Sequence, residues 1–204
     1  MPKSHKTRAV FLDRDGVVNE LLFHQEVGII ETPFTVDQFK LKKNAGKGIR
    51  RINRLGFKVI IVSNQPGIAM RHFSRKTLEA INLKMIQSLA KDKARLDGIF
   101  YCLHHPVKGL GALKKKCACR KPKPGLLFQA AKLFNIDLKK SFIIGHRILD
   151  VQAGKAAGCE TILLAHLKCD LCHLMARRGI KPDYLVKDIL TAAKTIQTKA
   201  NPKK

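Results

Sequence analysis

Two aspartates, Asp13 and Asp15, stand on either side of Arg14 where the apolar run Val10-Phe11-Leu12 gives way to Gly16. A carboxylate at such a point can attack phosphorus to form an aspartyl phosphate. A second acid beside it can protonate the departing alkoxide and then take a proton from water. Taken alone, the pair also suits a loop cap or a calcium turn. A further apolar run, Val59-Ile60-Ile61-Val62, ends in Ser63-Asn64-Gln65-Pro66-Gly67. A small hydroxyl there can donate to a phosphoryl oxygen, and the glycine-containing turn can present backbone amides to the same anion. Lys121, within Arg120-Lys121-Pro122-Lys123-Pro124-Gly125, can neutralise a nucleophile and a transferring phosphoryl group. Ile143-Ile144-Gly145-His146-Arg147-Ile148-Leu149-Asp150 again closes an apolar run with polar side chains. Singly, the Ser63 turn also reads as a polar strand-to-helix connection and the Lys121 loop as a solvated turn.

Cys102-Leu103-His104 and Cys117-Ala118-Cys119 offer three thiolates and one imidazole, a full ligand set for tetrahedral zinc. The loop between them has too few apolar residues to pack on itself, so an ion would staple it in place of a core. Four protein ligands leave no open position, which makes such a zinc structural. The chain has six cysteines. Its length and its lack of an apolar signal core point to a reducing, cytoplasmic location, where paired cysteines bind metal more often than they form disulfides. Cys169 and Cys172 form another Cys-x-x-Cys unit without a second ligand set nearby, and Cys159 stands alone. These three read as structural or incidental.

Such groups need a scaffold that gathers distant segments. Short β-branched runs alternate with longer amphipathic stretches, which predicts an α/β fold: a Rossmann-like three-layer sandwich with a mostly parallel central sheet. Strands are expected at Ala9 to Leu12, Lys58 to Val62, Ile99 to Tyr101, Phe142 to Ile144, Thr161 to Leu164 and Tyr184 to Val186. Helices are expected at Ala45 to Leu55, from a Ser74 cap to about Leu89, at Gly125 to Phe134, at Asp150 to Ala157 and after an Asp188 cap. Asn19 to Lys43 and Cys102 to Pro124 fit neither pattern and are expected to be functional loops, the first a short flap with little or no cap domain. One domain should cover residues 1–204, with flexible ends at 1–8 and 199–204.

The 45% hydrophobic content suits a globular protein, and no run of about 18 apolar residues is present to cross a bilayer. Forty Lys and Arg against fifteen Asp and Glu give a net charge of +25. Such a field attracts phosphorylated metabolites, nucleic acid or anionic surfaces, and less so as salt rises. The basic residues are spread along the chain and no RNA-binding or helix-turn-helix signature stands out, so nucleic acid stays open but is not favoured.

In order, the aspartate pair, the hydroxyl, the lysine before a helix and the Gly-x-x-x-x-Asp turn resemble the four motifs of the haloacid dehalogenase superfamily. With the Cys/His loop, the chain resembles its zinc-containing branch of heptose bisphosphate and histidinol phosphatases. The long stretch from His105 to Lys116 favours the heptose type. The resemblance implies that Asp13 is the nucleophile and a magnesium ligand, and that Asp15 is the acid and base and lends its carbonyl to the metal. It gives Ser63 the task of orienting the phosphoryl group, and Lys121 that of stabilising charge. Asn64, Gln65 and Arg120 would contact substrate, with Arg120 gripping the phosphate that is not cleaved. His104 rather than His105 completes the zinc set. The implied reaction removes the 7-phosphate of a D-glycero-D-manno-heptose bisphosphate by a monomer. Histidinol phosphate and a polynucleotide 3′-phosphate are alternative substrates. One position departs: His146 stands where the family carries an acidic magnesium ligand. Either Asp150 takes over, the reading preferred here, or His146 shifts the metal towards manganese, iron, cobalt or zinc, or the site is weakened. In the last case the chain would be an anion- or nucleic-acid-binding protein.

Overall fold

The structure, a computed structural model, describes residues 6–24, 29–164 and 179–200. Six strands form the central sheet: β1 (Ala9–Leu12), β4 (Lys58–Asn64), β5 (Gly98–Cys102), β6 (Phe142–Gly145), β7 (Glu160–Leu164) and β8 (Tyr184–Val186). They lie in the order β5-β4-β1-β6-β7-β8, every neighbouring pair parallel. Among the described residues five α-helices connect or follow them: α1 (Ala45–Arg54), α2 (Arg75–Lys91), α3 (Gly125–Phe134), α4 (Ile148–Ala157) and α5 (Ile189–Ala200). A sheet covered on both faces must be apolar at every strand position, which is why its strands read as unbroken Val and Ile runs rather than as alternating ones.

The period-two geometry of a strand splits those runs between two cores. Val10, Leu12, Val59, Ile61 and Ile144 pack with Ile49, Ile52, Ile81, Met85 and Ile196 of α1, α2 and α5. Ala9, Phe11, Ile60, Val62 and Ile143 pack with Leu127, Ala130 and Ala153 of α3 and α4. The result is the expected three-layer sandwich. From β1 the chain moves outward to β4 and β5, then returns to the other flank of β1 as β6. Connections leave β1 and β6 in opposite directions, so a crevice opens at their carboxyl ends, where ligands of open α/β sheets collect. Asp13 follows β1 directly and His146 follows β6.

Local chemistry sets the helix ends. Ser74 Oγ accepts the Thr77 amide at 3.0 Å and starts α2. Asp188 Oδ1 accepts the Thr191 amide at 2.8 Å and starts α5, while its other oxygen accepts from Asn44 Nδ2 at 3.0 Å, tying α5 to the loop before α1. Four of the strands, β4 to β7, run one or two residues beyond the expected limits, and α4 begins at Ile148 rather than Asp150. The reason lies in Asp150 itself, which sits inside the first turn and accepts the backbone amides of His146 and Arg147.

The Asn19 to Lys43 segment is corrected from an irregular flap to one containing an antiparallel hairpin, β2 (Leu22–His24) with β3 (Ile29–Glu31). Phe23 and Ile30 are exposed on it, so apolar residues there do not mark a buried face and no burial pattern announces the hairpin in the sequence. A 3-10 turn, Gly111–Leu113, interrupts the second irregular stretch. Thr7 is bonded to Asn135, and Lys199 and Ala200 complete α5. Cys169 and Cys172 lie outside the described residues. No described helix is long and apolar enough to cross a membrane.

Replacing Asp188 by alanine should cost about 1 kcal/mol by removing the α5 cap. Burial pushes the Asp188 carboxyl up, but the Thr191 amide and hydroxyl, Asn44 and Lys187 outweigh it and hold it below its ordinary value. Its contribution is therefore full above the unfolded carboxylate range and is lost as pH falls through the folded value. In thermal melts, the gap between wild type and Asp188→Ala should be constant near neutrality and close below about pH 4.

Candidate active site

The Asp13 carboxylate lies at the floor of the crevice, fixed by the Asp13 amide donating to Ile144 O of β6 at 3.0 Å. Its Oδ1 accepts the Arg14 amide at 2.9 Å and is paired with Lys121 Nζ at 3.0 Å. Burial pushes this carboxyl up. The charge of Lys121, with His146 and Ser63 adding to it, outweighs burial and holds Asp13 well below the usual carboxylate range. Lys121 is itself buried, which pushes its ammonium pKa down, yet the charges of Asp13 and Asp150 more than reverse the effect. Lys121 Nζ also donates to Val62 O at 3.0 Å and pairs with Asp150 Oδ1.

Asn64 holds the lysine's main chain in place: the Lys121 amide donates to its Oδ1 at 3.0 Å, and its Nδ2 donates to Lys121 O at 3.1 Å. The tip of β4 thus sets the depth at which Lys121 enters. Ser63, one residue earlier, is buried on the crevice wall.

Asp15 is held by a clamp. Arg14 Nε and Asn19 Nδ2 donate to its Oδ1 at 3.0 and 3.1 Å, while Gln65 Nε2 and Arg14 Nη2 donate to Oδ2 at 2.6 and 3.2 Å. Arg14 is fully buried, its guanidinium 5.7 Å from the centre of the Tyr101 ring. Burial opposes its charge, and Asp15 more than restores it. Sequence reasoning missed Arg14. The available signal was a cation wedged between two acids at the end of an apolar run, a place where only a paired charge can be buried.

Beside the crevice lies a pocket of about 260 Å³ whose wall includes Thr32 and Phe34 after the hairpin, Asn64, Gln65, Arg120 and Arg147. Asn64 and Gln65 therefore reach this pocket, although their side chains also bond to Lys121 and to Arg14 and Asp15. Arg147 was also missed from sequence. It brings a second guanidinium to a pocket that already holds Arg120. Arg120 Nη1 donates to His104 O at 3.0 Å, so the Cys/His loop positions it.

In that loop Cys102, Cys117 and Cys119 present sulfurs 3.3 to 3.5 Å apart, and His104 Nδ1 lies 3.7 Å from Cys102 Sγ and 3.3 Å from Cys119 Sγ. A tetrahedron with zinc–sulfur bonds of about 2.3 Å has edges of about 3.7 Å, so this donor set fits zinc. His105 Nδ1 instead accepts the amides of Val107 and Lys108 at 3.2 and 2.7 Å.

Asp13, His146 and Asp150 form the second group of metal-capable donors, all within 4.8 Å of one another. Asp150 is heavily engaged: Oδ1 holds Lys121, and Oδ2 accepts two backbone amides at 3.2 and 3.0 Å. The expectation that Asp150 takes over a metal role therefore meets a carboxylate already used as helix cap and lysine partner. For a hard oxygen-seeking ion such as magnesium, the open side-chain donors are Asp13 Oδ2 and an imidazole, a poor match.

Comparison with known proteins places this architecture. The HAD-hydrolase-like family matches residues 118–192. The D-glycero-β-D-manno-heptose-1,7-bisphosphate 7-phosphatase of Pasteurella multocida is 38% identical over 157 residues, covering 77% of this chain and 80% of that protein. Its namesake from Escherichia coli K12 is 35% identical over 156 residues, 76% of this chain and 78% of that one. Among solved structures, the D,D-heptose 1,7-bisphosphate phosphatase of B. bronchiseptica, in complex with magnesium and phosphate, superposes with a TM-score of 0.78 at 28% identity, covering 95% of this chain and 99% of that one. The chain belongs to the haloacid dehalogenase-like phosphatases, in the family of the heptose 1,7-bisphosphate 7-phosphatases.

Proposed function

We propose that the chain is a phosphoric monoester hydrolase that removes the 7-phosphate of D-glycero-D-manno-heptose 1,7-bisphosphate through an aspartyl phosphate on Asp13. The observation that carries this reading is a buried carboxylate held ionised by Lys121 at 3.0 Å, at the floor of a crevice that continues into a two-arginine pocket. A bisphosphate has one phosphate to place over Asp13 and another to place between guanidinium groups.

Asp13 attacks phosphorus, the phosphorus–oxygen bond to the sugar breaks, and Asp15 gives its proton to the leaving oxygen. Asp15 then takes a proton from the water that attacks phosphorus, which frees Asp13. Ser63 and the ammonium of Lys121 hold the phosphoryl oxygens during both steps. To act, the Asp15 carboxyl must loosen from Arg14 and Gln65, and Gln65 is thereby assigned to holding the acid as well as to meeting substrate. Arg120 and Arg147 grip the distal phosphate.

Asp13, the Asp15 carbonyl and His146 would hold a divalent ion, which supplies charge against the phosphoryl oxygens when bound. Zinc on Cys102, His104, Cys117 and Cys119 holds the loop that bears Arg120, and such thiolates suit a reducing cytoplasm.

Asp13→Asn should reduce phosphate release from the heptose bisphosphate by about a thousandfold or more; undiminished turnover would remove the nucleophile from this reading. Histidinol phosphate and a 3′-phosphorylated oligonucleotide serve as comparison substrates, and the heptose ester should give the highest kcat/KM. Cys119→Ser should lower the melting temperature by several degrees. It should also raise KM for the bisphosphate more than it lowers kcat, because Arg120 hangs from His104. An unchanged KM would separate the loop from substrate binding.

A further inference from the structure

The imidazole of His146 is set in a seat built for it. Its ring lies against Gly16, where an added Cβ would come within 2.9 to 3.0 Å of three ring atoms. Its backbone is fixed by the amides of His146 and Arg147 donating to Asp150 Oδ2, and that approach itself depends on Gly145, where a Cβ would meet the Asp150 side chain at 2.1 to 2.4 Å. Held so, the ring directs Nδ1 inward. Nδ1 is buried without a hydrogen-bond partner among the described residues and lies 3.5 Å from Asp13 Oδ2.

The other donors nearby are committed. Asp13 Oδ1 serves Lys121 and the Arg14 amide, and both Asp150 oxygens are engaged as described above. Among the side chains of this donor group, the ligand atoms left for an ion are one carboxylate oxygen, Asp13 Oδ2, and one imidazole nitrogen, His146 Nδ1, which would join the Asp15 carbonyl. Ligands about 2.1 Å from one ion stand about 3 Å apart in an octahedron and about 3.4 Å apart in a tetrahedron, against the observed 3.5 Å. Magnesium takes oxygen donors and parts reluctantly from water, whereas imidazole with carboxylate suits manganese, iron, cobalt and zinc.

We propose that His146 Nδ1 and Asp13 Oδ2 together ligate a first-row transition-metal dication in preference to magnesium. The inference rests on the phosphatase reading for its purpose, but not for its test. It carries a consequence for Arg147, whose Nε donates to His146 Nε2 at 3.1 Å. A neutral ring that accepts there has its hydrogen on Nδ1. Ligation by Nδ1 places the hydrogen on Nε2, which ends that acceptor role and frees the guanidinium for the substrate pocket.

The test uses the full-length, zinc-loaded protein grown with 15N-histidine and charged with Mn2+. Electron spin-echo spectroscopy should show coupling of the manganese to a histidine nitrogen, and the coupling should vanish in His146→Asp. By calorimetry, His146→Asp should bind Mg2+ at least tenfold more tightly than the wild type. Manganese bound without nitrogen coupling would make His146 only a hydrogen-bond donor to Asp13 and overturn the proposal. Wild-type protein that takes Mg2+ as tightly as the variant would do the same. Neither readout depends on turnover: a protein with coupled manganese and no phosphate release keeps this inference and loses the phosphatase reading.

Discussion

One ammonium group, Lys121 Nζ, sits buried between Asp13 and Asp150, and the site is arranged around that cluster. A lone charge taken out of water is costly, and an excess of unpaired charge is worse than a pair. Lys121 stays charged out of water only because two carboxylates, one just after β1 and one from the start of α4, converge on it, with Val62 O of β4 accepting a further hydrogen bond. The strand order is what makes this convergence possible, since β1 has β4 on one flank and β6 on the other. The three charges come from three segments, the loop after β1, the stretch before α3 and the first turn of α4, and loss of Lys121 would leave two buried carboxylates without a counter-charge.

Much of this was legible in the residues. Strands buried on both faces announce themselves as Val and Ile runs, so β1, β4, β6 and β7 could be found, and with them the loop ends that carry Asp13, Ser63 and the Gly145 turn. The Cys/His spacing pointed directly to its own cluster. Pair contacts across the fold were not legible. Asn64 and Gln65, read as substrate contacts, also bond to Lys121 and to Asp15, partners 57 and 50 residues away. Nothing in a linear pattern records which face of a loop meets which segment. The hairpin of residues 22–31 escaped for a different reason: with Phe23 and Ile30 in solvent, its residue types obey no burial rule.

The Cys/His loop and the catalytic floor are mechanically continuous. Cys119, Arg120 and Lys121 are consecutive, so a thiol of the Cys/His cluster, a guanidinium on the pocket wall and the buried ammonium share one short stretch of chain. Asn64 grips that stretch at Lys121 from β4, and His104 O grips it at Arg120. A segment rich in lysine, glycine and proline has little tendency to order itself, so these outside anchors supply the rigidity that charge placement demands.

The seat that Gly16 provides for the His146 ring has a wider meaning. Gly16 belongs to the loop that carries Asp13 and Asp15, and its φ of 74° is one that side-chain-bearing residues rarely adopt. A position already reserved for glycine by backbone conformation thus leaves an open floor beneath residue 146. The space above Gly16 is set by the main chain of the Asp13 loop and not by the side chain that fills it. In a scaffold of this kind, the choice of ion can drift through exchanges at a single neighbouring position while the phosphoryl-transfer apparatus stays intact.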